Sequence, residues 1–172
     1  MQIEVTVQDC AAQFPIAVTE ATWQQWFECW LNLLSPTLSP AHSYELSLRL
    51  TDDAEIQQLN AQYRQQNRPT DVLSFAALEV DTPQSPDLLS SQPLYLGDLI
   101  ISVETAIRQA DRQGHPLITE LAWLSVHGLL HLLGWDHPDD QSLARMLAQQ
   151  DQLLAAVALP PVGQVSETRL SF

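Results

Sequence analysis

From Gln2 to Gln8 apolar and polar residues alternate, with Ile3, Val5 and Val7 on one side. That period of two predicts a half-buried strand. Between residues 20 and 34 the period changes: Trp23, Trp26, Phe27, Trp30, Leu31 and Leu34 recur at steps of three and four, the stripe of an amphipathic helix. The stretch from Ser35-Pro36 to Ser39-Pro40 ends it. Tyr44 to Leu50 alternates again and predicts a second strand. Thr51-Asp52-Asp53-Ala54-Glu55 supplies a cap and an acidic first turn for a helix to about Arg64.

Two short apolar runs, Val72 to Phe75 and Leu96 to Ser102, predict two further strands. The proline- and serine-rich stretch between them, residues 79–95, lacks periodicity and reads as an exposed loop. Ser102 is placed to cap a helix running to about Gln113, with Gly114 just past its end. Pro116 is expected in the first turn of the next helix, which Gly134 ends, and Pro138 in the first turn of a last helix through about Val157. The resulting order predicts an α+β domain, a four-stranded mixed sheet packed by about five helices. The strand order is not legible in this pattern. A chain of 172 residues suits one core, so residues 1–158 are expected to form a single domain and residues 159–172 a loosely held C-terminal tail.

Composition narrows the class. Hydrophobic residues make up 45% and charged residues 16% of the chain, which predicts a folded protein. No apolar run reaches the roughly 18 residues that span a bilayer, and the N-terminus reads as a strand and not as a signal peptide. A cytoplasmic location without membrane association is therefore expected. Cys10 and Cys29 lie far apart with no Cys-x-x-Cys pair, so they are read as inert thiols. The formal net charge is −14, and all seven basic residues are arginines. Such a field opposes generic nucleic-acid binding, so any RNA contact must be local or made through a partner.

The chemistry concentrates in His127-Gly128-Leu129-Leu130-His131-Leu132-Leu133-Gly134-Trp135-Asp136-His137. On a helix, positions i and i+4 share a face, so His127 and His131 can aim at one point. Gly134 can take the left-handed conformation that swings His137 back as a third ligand. Three imidazoles with an open fourth position are the donor set of a catalytic zinc site, at the end of a central helix. Metzincin proteases share this spacing but carry a glutamate base after the first histidine. Here that position is Gly128, so a peptidase loses its base.

The chain resembles the YbeY family, a group of bacterial RNA maturation factors. The likeness rests on the histidine block with Asp136, on Asn60-Ala61-Gln62-Tyr63-Arg64-Gln65-Gln66-Asn67-Arg68-Pro69-Thr70-Asp71-Val72-Leu73-Ser74-Phe75, and on Leu96-Gly97-Asp98-Leu99-Ile100-Ile101-Ser102. It implies a single-strand-specific, metal-dependent endoribonuclease in ribosomal RNA maturation, at the small-subunit RNA 3′ end, and in ribosome quality control. Its partners would be ribosomal RNA and the ribosome or its proteins. It further implies one zinc per chain on His127, His131 and His137, with Arg64 as the functional arginine beside it. Where the family often carries a basic residue, this chain has Gln66.

Around that centre, Arg64 offers a planar charged fork for phosphate oxygens, and Arg68 shares its neighbourhood. Asp136 either hydrogen-bonds a ligand histidine or caps the helix at Pro138. Asp71 and Ser74 are expected to hold the turn into the third strand, and Asp98 to play a similar part. His115 and His42 read as structural and solvated, and Trp135 as packing against the site. The general base stays open. Two other readings are a ribosome-associated binding or chaperone-like factor whose zinc is structural, and a metzincin-like metallohydrolase without its glutamate.

Overall fold

A computed structural model describes residues 1–80 and 85–159. The chain runs β1 (Gln2–Asp9), α1 (Glu20–Leu34), β2 (Ser43–Thr51), α2 (Asp53–Arg64), β3 (Val72–Ala76), a 3-10 turn (Ala77–Glu79), α3 (Pro86–Ser91), β4 (Leu94–Ser102), α4 (Val103–Gln113), α5 (Leu117–Leu132) and α6 (Asp140–Ala156). The four strands form one mixed sheet in the order β1-β2-β4-β3. β1 and β2 are parallel, as are β2 and β4, whereas β3 runs antiparallel to β4 and forms a free edge. The expected α+β class with a four-stranded mixed sheet is thus observed.

Local chemistry places most element ends. Ser102 caps α4 by accepting from the Thr105 amide, and Gly114 closes it at φ +70°. Asp52 caps α2 through the Glu55 amide. Three expectations need correction. Residues 79–95 are not wholly loop: Pro86–Ser91 form α3, capped by Ser85. Residues 81–84 lie outside the described residues. Pro116 sits at the N-cap of α5 and not in its first turn. Pro138 does not open the last helix, which begins at Asp140 under a capping box made by Asp139 and Ser142. Serine at the third helical position can take the reciprocal place usually given to glutamate, and that pairing outcompetes the proline. Of the expected tail, Leu159 packs partly against the core; residues 160–172 lie outside the described residues.

One face of the sheet carries the main core, in which Trp23, Phe27 and Trp30 of α1 meet Leu46 and Leu48 of β2, Leu121 and Leu129 of α5, and Met146 and Leu153 of α6. Trp30 donates its indole N–H to the Leu153 carbonyl at 2.9 Å, tying α1 to α6. The other face holds a small cluster of Ile56, Leu73 and Ile100, with Leu59 and Phe75 packed on it. In the middle lies α5, where 13 of 16 residues are buried. A helix apolar on nearly every side has to be enclosed, and this one is. Among the described residues no helix is long and apolar enough to cross a membrane. Cys10 and Cys29 are both free thiols.

A bulge fits β4 to its neighbours: Tyr95 pairs with Glu45 and Gly97 with Leu46, leaving Leu96 as the extra residue. Gly97 sits at φ +136°, and a Cβ there would lie 2.1 Å from the Phe75 carbonyl oxygen. Backbone cannot yield as a flexible side chain does. Gly97→Ala is therefore expected to cost about 2–5 kcal/mol, read as a lower urea midpoint; an unchanged midpoint would show that the bulge tolerates a side chain.

Candidate metal centre

The end of α5 builds the site. Leu133 is its C-cap, and Gly134 follows at φ +89°. The Trp135 amide donates back to the Leu130 carbonyl (2.9 Å), and the Gly134 amide to that of His131 (3.0 Å). This paired closure is the Schellman motif, which needs a left-handed residue at the position Gly134 occupies. The chain reverses there, and His137 returns to His127 and His131. One ligand atom from each of the three lies within 4.8 Å of the others. The Nε2 atoms of His127 and His131 are 3.0 Å apart, close to the roughly 3.3 Å spacing of two nitrogens about 2.05 Å from one tetrahedral zinc.

Protonation tests the fit. His127, only 1% exposed, places Nδ1 3.1 Å from Oε1 of Gln150. With Oε1 as acceptor, Nδ1 carries the proton and Nε2 turns its lone pair into the site. Burial lowers the His131 pKa, with the neighbouring charges of His137 and Arg64 acting in the same direction. Neutral imidazoles with inward lone pairs are what a divalent cation requires. Trp123, one turn before His127, stacks on its ring at 5.4 Å and 6°. The chemistry of these donors therefore fits a metal ion.

Gly128 has a packing role. A Cβ there would come within 2.6 Å of the Leu99 side chain and 3.1 Å of the Ser74 hydroxyl. α5 thus packs closely on β3 and β4 at this point, and any larger side chain would have to displace Leu99.

The histidines open on a cleft of about 950 Å³, also lined by Arg64, Arg68, Tyr63, Phe75, Trp135 and Asp136. Arg64 donates from Nη2 to the Ser74 carbonyl at 2.7 Å, and its guanidinium lies 5.7 Å from the centre of the Phe75 ring. Arg68 is exposed on the same cleft. Asp136 accepts from the His137 amide at 2.8 Å, so it braces the backbone that carries the third histidine; the cap of α6 falls to Asp139. Trp135, half-buried, packs on the core beside the site.

Asp71 and Asp98 do not line the cleft. Asp98 accepts from the Tyr95 hydroxyl at 2.8 Å. Asp71, 4% exposed, accepts from the Val72 amide and from Nε2 of Gln109, holding the turn into β3 as expected. His42 is exposed, and His115 meets the fully buried Glu120, Nε2 to Oε2, at 2.5 Å. Sequence reasoning missed Gln150 and Trp123. Gln150 is the polar member of a buried stripe with Met146, Leu153 and Leu154; an amide on such a stripe was the available signal.

Three histidines converging at the end of a buried helix, beside an arginine and within an α+β fold, define a candidate mononuclear metal centre. A family model described as endoribonuclease YbeY matches residues 9–158. A Nostoc sp. protein named endoribonuclease YbeY is 59% identical over 170 residues, which cover 92% of each chain. One of the same name from Trichodesmium erythraeum is 63% identical over 135 residues, 78% of this chain and 74% of its own. The solution structure of TM1509 from Thermotoga maritima matches with a TM-score of 0.55 over 90% of this chain and 88% of its own; at 22% identity it speaks to the fold. The chain belongs to the YbeY endoribonuclease family.

Two measurements follow from this geometry. Gln150→Leu removes the acceptor for His127 and puts an apolar side chain of similar size in a fully buried place; among the described residues Nε2 of Gln150 has no hydrogen-bond partner to lose. Zinc affinity, read by chelator competition, is expected to fall about 10- to 100-fold with the fold retained; unchanged affinity would show that this contact does not orient the ligand.

The second concerns Asp71. Burial pushes its carboxyl up to about 6; the Gln109 and Val72 hydrogen bonds pull the other way, and nearby Glu120 adds to the rise. Between pH 4 and 6 the unfolded chain is ionised there while the folded chain keeps its proton. The folded state thus binds more protons, and stability falls as pH rises through that window, by about 3 kcal/mol from this group. In Asp71→Asn the buried Oε1 of Gln109, without a hydrogen-bond partner among the described residues, can accept from the new amide after a flip. The stability of the variant relative to wild type is expected to climb from pH 4 to 6 and level off above it. Parallel curves in urea denaturation would overturn the assignment.

Proposed function

We propose that this protein is a zinc-dependent endoribonuclease that cuts single-stranded RNA. Its place would be ribosomal RNA maturation at the small-subunit 3′ end and ribosome quality control, in the cytoplasm, with residues 1–158 as the working unit. The observation that carries this reading is that Arg64 and the three histidines line one cleft. His127, His131 and His137 hold one zinc per chain, which when bound supplies Lewis acidity and a nucleophile near neutral pH.

The other residues position and neutralise. Arg64, anchored on Ser74 and Phe75, presents a fixed cation to the phosphate as charge builds on its oxygens. Arg68 contacts a neighbouring phosphate. Asp136 holds the backbone of His137, while Gln150 and Trp123 hold the His127 ring. The leucines flanking the histidines on α5 keep bulk water from the inner wall. Gly128 leaves no side chain for the base a metzincin would use, which argues against peptide hydrolysis. A second reading is favoured by the net charge of −14: an acidic surface suits docking on basic ribosomal proteins, and docking and cleavage are compatible.

The test is cleavage of a ribosomal RNA 3′-end fragment by wild type, His131→Ala and Arg64→Ala, purified side by side with their zinc content measured. Wild type is expected to cut with about one zinc per chain, and His131→Ala to lose both metal and activity. Arg64→Ala should keep fold and zinc and lose activity about 100- to 1,000-fold. Equal cutting by wild type and His131→Ala would place the activity outside this centre. Full activity in Arg64→Ala would remove that residue from the mechanism.

A further inference from the structure

Tyr63, in the last turn of α2, lies on the rim of the cleft and is 58% exposed. Its ring meets that of Phe75 edge-to-face, with centroids 5.2 Å apart and planes at 66°. Phe75 in turn carries the Arg64 guanidinium at 5.7 Å, and Arg64 is tied to the Ser74 carbonyl. Cation, half-buried ring and exposed ring therefore form one braced unit along the free edge of β3. The other exposed tyrosine, Tyr95, has its hydroxyl engaged by Asp98 and lies off the cleft.

An RNA ligand needs more than phosphate contacts here. Among the described residues the cations lining the cleft, apart from the histidines, are Arg64 and Arg68, in a protein of net charge −14. Two phosphate contacts on a single strand give a salt slope of only about −1.4 and a modest share of affinity. Stacking on an aromatic ring is the contribution that a negative overall charge does not cancel, because every base has a π-face whatever the field around it.

Resting on the RNA-cleavage reading above, we infer that the Tyr63 ring, held edge-on by Phe75 beside Arg64, is a seat for one nucleobase of single-stranded RNA next to the phosphate that Arg64 contacts. A duplex keeps its bases stacked inside and cannot offer one without unpairing. The seat thus makes Tyr63 a determinant of single-strand preference as well as of affinity.

The experiment is a fluorescence titration of zinc-loaded protein with a short single-stranded RNA carrying one 2-aminopurine, alongside kcat and KM for its cleavage. Wild type, Tyr63→Phe and Tyr63→Ala are compared, each also with RNAs made abasic at single positions around the cut. Tyr63→Phe is expected to bind and quench like wild type. Tyr63→Ala should bind about tenfold or more weakly, mainly through KM, with its zinc intact and its preference for single over double strands reduced. One abasic position should weaken wild type but cost Tyr63→Ala nothing further, the non-additivity of two groups in contact. Wild-type affinity in Tyr63→Ala, or losses that simply add, would overturn the seat while leaving cleavage standing. Tyr63-dependent binding of RNA that is never cut would keep the seat and overturn the nuclease reading. No binding by wild type would overturn the seat.

Discussion

The packing of α5 against the sheet at Gly128 is the contact on which the geometry of the histidine site depends. Without a side chain there, the helix backbone settles onto Leu99 and Ser74, and the helix is enclosed on almost every side. Enclosure makes a histidine ligand on this helix rigid: His127 has a tryptophan stacked on one side and a glutamine bonded to its far nitrogen. At position 128 the candidate metal centre thus has close helix packing in place of a side chain that could do chemistry.

The charge of the chain sets the second constraint. At −14 the molecule as a whole repels polyanions, yet its cleft gathers two arginines and several rings. The local arrangement resolves the conflict. Arg64 is not a waving surface cation: a backbone carbonyl and an aromatic face fix it, and its charge is felt as far as His131. A fixed guanidinium loses less freedom on meeting an anion than a mobile one does, so the proposed phosphate contact of Arg64 does not require a diffuse basic patch.

Much of this was legible in the chain, for physical reasons that differ from place to place. The strands and long helices follow from period, since a buried stripe leaves a repeating trace. The three histidines followed from helical geometry plus one glycine, whose left-handed turn the chain does adopt. Strand order was hidden, because β4 enters the sheet between β2 and β3, and its parallel pairing with β2 is a long-range contact that no local pattern encodes. The start of α6 was misplaced because Asp139, directly after the proline, takes the N-cap and pairs with Ser142. Gln150 escaped notice because its partner lies 23 residues away on another helix, and Asp136 left two roles open where the structure shows a third, bracing the His137 amide. Short-range chemistry is readable; the partner of a buried polar group is a tertiary fact.

The orientation of α5 adds a last element. Aligned peptide dipoles give a helix a partly positive N-terminus and a partly negative C-terminus. At the N-terminal end of α5 the protein buries Glu120 in the first turn, with His115 against it. At the other end stand the paired imidazoles and the Schellman turn. The acidic side chain and the candidate cation site thus lie at the ends of the helix that favour them. Most of the helix is buried, where such fields are least screened. The dipole of this core helix therefore biases its C-terminal end toward a cation, so that packing and the candidate metal centre share one axis.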